Sequence, residues 1–361
     1  MRFGFINRVH RSINVGKELM LKGLSLFCVI SLCVVIISPG VAQVLDGPRG
    51  PVEFIGLKQW KASDLFESIQ ELDPDKPFHA CAAVMKRDLE FPDAAAFVFM
   101  KHLEDGSMDM YTVVVGVEDS SGVRYRSPGE ETIDLPEIWQ KMQTATEEDF
   151  GTFSALVQAR YQAIEADAPL DKAPMLAEYF GANGDTAKEV WELMDGAYEA
   201  SDHDLALDVL AKDASWSARA ISTMVLGYFP ENDKSWHGLA GSLIDSESFV
   251  RSIAERVLKG LIRADKTVPI QWSEARESLL ALFGGTNPFA FNAILEALVA
   301  TEVDAEFALE LVREKPDLLL AYAGAEYEKH RTPALDFLKA ISGEDFGRDI
   351  EAWGTWIQES E

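Results

Sequence analysis

His79-Ala80-Cys81 is where an imidazole and a thiol stand closest along the chain. A thiol beside a base can be deprotonated and act as a nucleophile. The spacing works against that use, because residues i and i+2 of a helix point in different directions. Cys81 also falls in an Ala-Ala-Val-Met environment, where a buried, inert cysteine is the ordinary case. His79 and Cys81 are therefore the candidates if the chain is an enzyme, and a core cysteine is the favoured reading. The other histidines considered, His102, His203, His237 and His330, show no His-x3-His spacing, and no Cys-x2-Cys occurs, so no zinc site is read. Asp119-Ser120-Ser121-Gly122 lacks the alternating acids of a calcium loop. The nucleophile elbow, the phosphate-binding loop and the dinucleotide fingerprint do not occur, and no cofactor is expected. Glu147-Glu148-Asp149 reads as a helix start favoured by the helix dipole.

A second pairing of residue types is better supported, and its chemistry is structural. Asp213 to Leu226 reads Asp-Ala-Ser-Trp-Ser-Ala-Arg-Ala-Ile-Ser-Thr-Met-Val-Leu. The pattern returns 32 positions later, with Asp245, Arg251, Ile253 and Val257-Leu258 in the places of Asp213, Arg219, Ile221 and Val225-Leu226. Arg251 has a local partner in Glu255, but Thr223 stands at the matching place after Arg219. A partner common to both arginines is more economical, and the aspartates supply it. Asp213, Arg219, Asp245 and Arg251 are thus expected to form a ladder of ionic hydrogen bonds between neighbouring repeats.

The elements that must hold this ladder are helices. From Phe249 the apolar positions 249, 250, 253, 254, 257, 258, 261 and 262 form one unbroken helical stripe. Asp245 and Ser246 before it are good capping types. One such helix cannot bury its stripe alone, so it needs a partner, and each pair needs the next. The pattern resembles the HEAT repeat, in particular the short bacterial form and the phycobilin-lyase-like family. That resemblance is specific over residues 201–264 and weaker out to 361. It implies a ladder of turn aspartates and second-helix arginines, although a 32-residue period is short beside the usual roughly 40. Asn292 stands in the arginine's place after Asn287-Pro288, so the ladder is expected to break there, and Asp317-Leu318-Leu319-Leu320 opens another second helix with Leu in the slot. The segment from Ser342 through Trp353 and Trp356 looks like the closing motif of secreted bacterial HEAT-type proteins.

Residues 1–42 read as a signal peptide. Arg2, Arg8, Arg11, Lys17 and Lys22 precede an apolar run of 14 residues, Leu24 to Ile37. Small residues then allow cleavage after Ala42. An uncleaved anchor is the other reading, and translation from Met20 would give a more ordinary signal length. Residues 1–42 hold five Lys/Arg and one Glu, so the remainder carries 28 basic and 59 acidic residues, net −31. That charge argues against nucleic acid, whose binding needs clustered cations. Of Cys28, Cys33 and Cys81 only the last survives cleavage, so no intrachain disulfide is expected.

Residues 43–51 read as a flexible lead-in and 52–145 as a small α+β domain with an antiparallel meander. Its strands are expected at Val52–Leu57, Ala94–Met100, Met108–Val117 and Val123–Arg126, its helices at 63–72 and 78–89, with a short covering helix at 136–143. From 146 to 361 the strand signals stop, and helix follows helix, including 216–228, 235–245, 247–264, 316–330 and 333–341. The expected fold is mostly α: a C-terminal α-solenoid of HEAT-like helix pairs behind the small domain. Trp191, Trp216, Trp236, Trp272, Trp353 and Trp356 read first as packing residues, and any of them could anchor a partner.

The leading functional reading is an exported scaffold or adaptor that binds one or more proteins, in the periplasm, on the cell surface or secreted. A lyase or thiol-dependent enzyme, using His79 and Cys81 or acids in the solenoid groove, is the alternative. Membrane contact is expected only through the N-terminal segment, if it is not cleaved.

Overall fold

The computed structural model describes residues 42–74, 81–102, 108–196 and 198–360. These belong to one compact unit, so the expected boundary at 145/146 falls inside it. His79 and the expected signal peptide up to Val41 lie outside the described residues.

The chain opens with β1 (Gln43–Gly47) and β2 (Gly50–Ile55), so the stretch 43–51, expected as a flexible lead-in, pairs as an antiparallel hairpin. Helices α1 (Ala62–Leu72) and α2 (Cys81–Asp88) follow, then β3 (Asp93–His102) and β4 (Met108–Val117). The strand order is β1-β2-β4-β3. β3 and β4 pair antiparallel, but β2 and β4 run parallel. The sheet is therefore mixed, and the expected antiparallel meander is corrected. A parallel pair needs a crossover, and α1 and α2 provide it between β2 and β3.

Side chains alternate across a strand, and this sheet uses both faces. Val52, Phe54, Ala94 and Val114 share one core with α1 and α2. Ile55, Ala95, Val113 and Val115 belong to the larger core built by the helices that follow. The expected strand at Val123–Arg126 is not part of the sheet. Residues 122–135 instead run extended over the helical part as a strap, with isolated bridges at Arg126 and Glu131.

Helices α3 (Glu137–Glu148), α4 (Phe150–Glu165), α5 (Ala173–Glu178) and α6 (Gly184–Asp195) come next. Glu147 and Glu148 end α3 rather than start a helix; Asp149 caps α4, accepting from the Thr152 amide at 3.0 Å. Helix pairs then follow: α7 (Ala200–Lys212) with α8 (Trp216–Leu226), and α9 (Asp233–Leu243) with α10 (Ser248–Arg263). Beyond them lie α11 (Arg276–Phe283), α12 (Phe291–Ala300), α13 (Ala305–Glu314), α14 (Pro316–Ala323), α15 (Glu328–Ser342) and α16 (Ile350–Glu359). The expected helix 316–330 is split, because α14 ends at Gly324 and a turn at 325–327 precedes α15. Pro333, read as a boundary, lies inside α15.

Second helices pack side by side in the succession α8, α10, α12, α15. Helix α4 lies against α10. Tyr161 is buried there and donates to the Gly227 carbonyl at 3.2 Å, while Arg256 of α10 donates to Gln158 of α4. At the C-terminus Asp349 caps α16, and the Trp353 indole donates to the Gly347 carbonyl at 3.0 Å. Among the described residues no single helix is long and apolar enough to cross a membrane.

Candidate functional site: the row of turns

Arg219 is fully buried and sits at the centre of the arrangement. Its Nε and Nη2 donate to both carboxylate oxygens of Asp245 at 2.9 and 3.0 Å, a two-pronged pair joining one helix pair to the next. Its Nη1 donates to the carbonyls of Asp213 and Ala214 at 3.0 and 2.9 Å. The guanidinium so closes its own turn and locks the following one. Burial alone would raise the Asp245 carboxyl, but the bonds from Arg219, the Glu247 amide and Arg126 hold it below the ordinary carboxylate range.

Arg251 occupies the same place in its repeat and closes its own turn likewise, donating to the carbonyls of Asp245 and Ser246 at 2.5 and 2.8 Å. Its next turn offers Thr286 where Asp245 stood, so the guanidinium finds a ring instead. It lies 4.7 Å from the centroid of Tyr125. The Asp213 carboxylate accepts from no arginine among the described bonds; it takes the Ser215 amide at 2.7 Å and the Ile133 amide at 2.8 Å. The four residues expected as a ladder thus form one inter-repeat ion pair, Arg219–Asp245, and two arginine-closed turns.

Two further turns continue the row. In both, the chain keeps a six-residue spacing to the second helix, Thr286 to Asn292 and Ala325 to Arg331. Arg331 donates to the carbonyls of Ala325 and Glu326, repeating the geometry of Arg219 and Arg251. Neither turn has its own aspartate, and strands supply the carboxylate. Asp93 at the start of β3 takes the Asn287 amide at 2.9 Å and the Tyr125 hydroxyl. Glu53 of β2 is fully buried and takes the amides of Glu326 and Tyr327 at 2.5 and 3.1 Å, and the Tyr111 hydroxyl at 3.0 Å.

The strap joins the turns to one another. Gly122 and Arg124 meet Thr286, the Arg124 amide donating to its hydroxyl at 2.8 Å. The Arg126 amide donates to the Ile244 carbonyl at 2.6 Å, its carbonyl accepts from Ser246 at 3.0 Å, and its guanidinium reaches Asp245 at 3.0 Å. Glu131 exchanges two backbone bonds with Lys212 and Ala214. Contact is so close that a Cβ on Gly129 would stand 1.8 Å from the Lys212 carbonyl oxygen.

The spacing of Arg331 from Ala325 was a visible signal of the fourth turn. Glu53, Asp93 and Thr286 had no local signal, because the bonds that tie the turns to the strands and the strap join residues more than 150 positions apart.

Of the candidate catalytic pair only Cys81 is described, and its surroundings are different. Cys81 is buried in the α1/α2 core, and that burial pushes its thiol up to about 12. Its thiolate is not accessible near neutral pH. His237 donates from Nε2 to the Gln271 carbonyl at 2.7 Å, and its Nδ1 lies 3.8 Å from Glu274, in an open depression between α9 and the turn at 271–274. Among the described residues no group of three or more His, Cys, Asp or Glu is arranged to hold a metal.

His330 is fully buried against the rings of Phe97 and Tyr322, at 4.7 and 4.6 Å, and burial lowers its pKa to about 3. Of the tryptophans singled out, Trp191, Trp236, Trp272 and Trp353 are buried, while Trp216 and Trp356 are partly exposed.

No family model matches the chain, and no curated protein or solved structure matches it.

Proposed function

We propose that the chain is an exported, non-catalytic protein-interaction scaffold whose helix pairs form a short HEAT-like solenoid. The observation that carries the reading is the row of four turns at 213, 245, 286 and 325, each closed by ionic or polar bonds and tied together by the strap and two strands. Such bracing produces a rigid surface at the second-helix ends without any reactive group at its centre. Arg219 is saturated by the bonds it makes, and its partner carboxylate is held ionised, so neither is poised to move a proton. A stiff platform lowers the ordering cost of binding a partner. The acidic composition, net charge −27, disfavours a nucleic-acid partner. The basic and apolar residues before Ala42 support export.

The reading is tested by capturing the full chain, tagged at its C-terminus, from the extracytoplasmic fraction after mild cross-linking. A protein recovered in stoichiometric amount is the expected result. Recovery of a pigment or other small molecule in place of any protein contradicts the scaffold.

A further inference from the structure

We infer that the aromatic side chains at the starts of the second helices form the docking surface for an extended partner segment rich in Arg or Lys. This deepens the interaction reading and rests on it. Trp216 lies three residues after Asp213, Phe249 four after Asp245, and Phe289 three after Thr286, so each of three turns is followed within four residues by a ring. Phe249 and Phe289 are 43% and 47% exposed, large values for phenylalanine in a molecule with this much buried aromatic surface.

The rings are clustered rather than scattered. Phe150, at the start of α4, is 4.5 Å from Phe249 between centroids, and Phe249 is 4.9 Å from Trp216. Phe289 stacks on Phe97 at 5.1 Å. Between the two groups Tyr125 already holds a guanidinium over its face, that of Arg251. The band therefore shows, within the chain itself, the contact that a partner's arginine would make.

Charge selects the partner. Exposed Glu131, Glu148 and Glu247 flank the first group along the chain. Of the cations in the same stretch, Arg126 pairs with Asp245, Lys212 with Asp208, and Arg251 bonds two carbonyls, while Arg124 is exposed. Aromatic faces with a rim of exposed carboxylates in an acidic chain fit a basic segment, and repel an acidic one.

The test uses the full chain and three fluorescent 15-residue peptides of one apolar pattern, bearing four Arg, four Gln or four Glu. Anisotropy should show the Arg peptide binding at least tenfold tighter than the Glu peptide. The double variant Phe249→Ala/Phe289→Ala should weaken it at least fivefold with an unchanged melting temperature. Tyr179→Ala removes a ring that is 83% exposed on another part of the surface, and should change nothing. General attraction to an acidic chain would be equal in both variants, and that equality would overturn the proposal. Equal binding of the three peptides would overturn it as well. In the capture experiment, a partner retained in full by the double variant overturns this surface and leaves the interaction reading standing. A partner lost by the double variant and kept by Tyr179→Ala supports it.

Discussion

Arg219 shows how a single side chain can decide stability without touching a ligand. Both it and Asp245 are fully buried, so removing Asp245 leaves a buried guanidinium unpaired, and removing Arg219 leaves the buried carboxylate with only the half-buried Arg126. Arg219→Ala should cost about 3–5 kcal/mol, the scale for breaking a buried pair. Arg219→Lys should recover only part, because an ammonium cannot make the two-pronged contact. Arg251→Ala should cost less than Arg219→Ala, since Arg251 bonds carbonyls at its turn and no buried carboxylate. Arg263→Ala, at an exposed position, should cost least. Urea titrations order the four variants, and equal losses from Arg219→Ala and Arg263→Ala would refute the assignment. His330 makes a prediction of pH. Its folded pKa of about 3 lies below the ordinary 6.5, so between these values the unfolded chain binds a proton that the native chain refuses. Its contribution is complete above 6.5 and declines as pH falls toward 3. Between pH 6.5 and 5 the loss should be about 2 kcal/mol at 1.36 kcal/mol per pH unit. His330→Phe should flatten the acid limb in that window. Asp245, whose pKa is depressed, keeps its contribution above the carboxylate range and loses it only at lower pH, so it does not enter the interval between pH 6.5 and 5.

At the scale of elements, the strap and the two borrowed carboxylates hold the turns. Gly129→Ala would drive a methyl group into the Lys212 carbonyl, so the strap must lift from the first turn. We expect a loss of about 1–3 kcal/mol, as for overpacking, and faster amide exchange at Glu131 and Ala214. Unchanged exchange at both would show that the strap is not clamped there. The helices from 200 to 314 were legible because caps and apolar stripes are local. The first two turns were legible because Asp, Arg and the apolar stripe share one register. The third turn showed itself through Asn292 and the fourth left a spacing signal in Ala325 and Arg331, but the carboxylates that close them did not, because Asp93 and Glu53 reach them from strands far away in sequence. The same distance explains the strap. Val123 to Arg126 has strand-like composition, but its backbone partners are turns near Ile244 and Thr286 rather than another strand. The parallel pairing of β2 with β4 was hidden for a similar reason, since local pattern shows that a strand exists but not its neighbour. The candidate pair at His79 and Cys81 illustrates the converse. The thiol's apolar neighbours signalled burial, and that is where it lies.

At the scale of the whole molecule, two cores share one sheet, and the strap and borrowed carboxylates cross from it to the helices. If this bracing is real, the α1/α2 core cannot open before the helical part does. The two parts report separately. Cys81 lies in the first core, whereas seven of the eight tryptophans lie at or beyond Trp139. The most direct measurement is therefore a urea series in which Cys81 labelling and tryptophan fluorescence are followed on the same protein. Labelling should be slow in native buffer, and its midpoint should coincide with that of the fluorescence change. Glu53→Ala, which strips the carboxylate from the fourth turn, should shift both midpoints down together. A Cys81 transition at clearly lower urea than the tryptophan transition, with Glu53→Ala moving only one of them, would contradict the account.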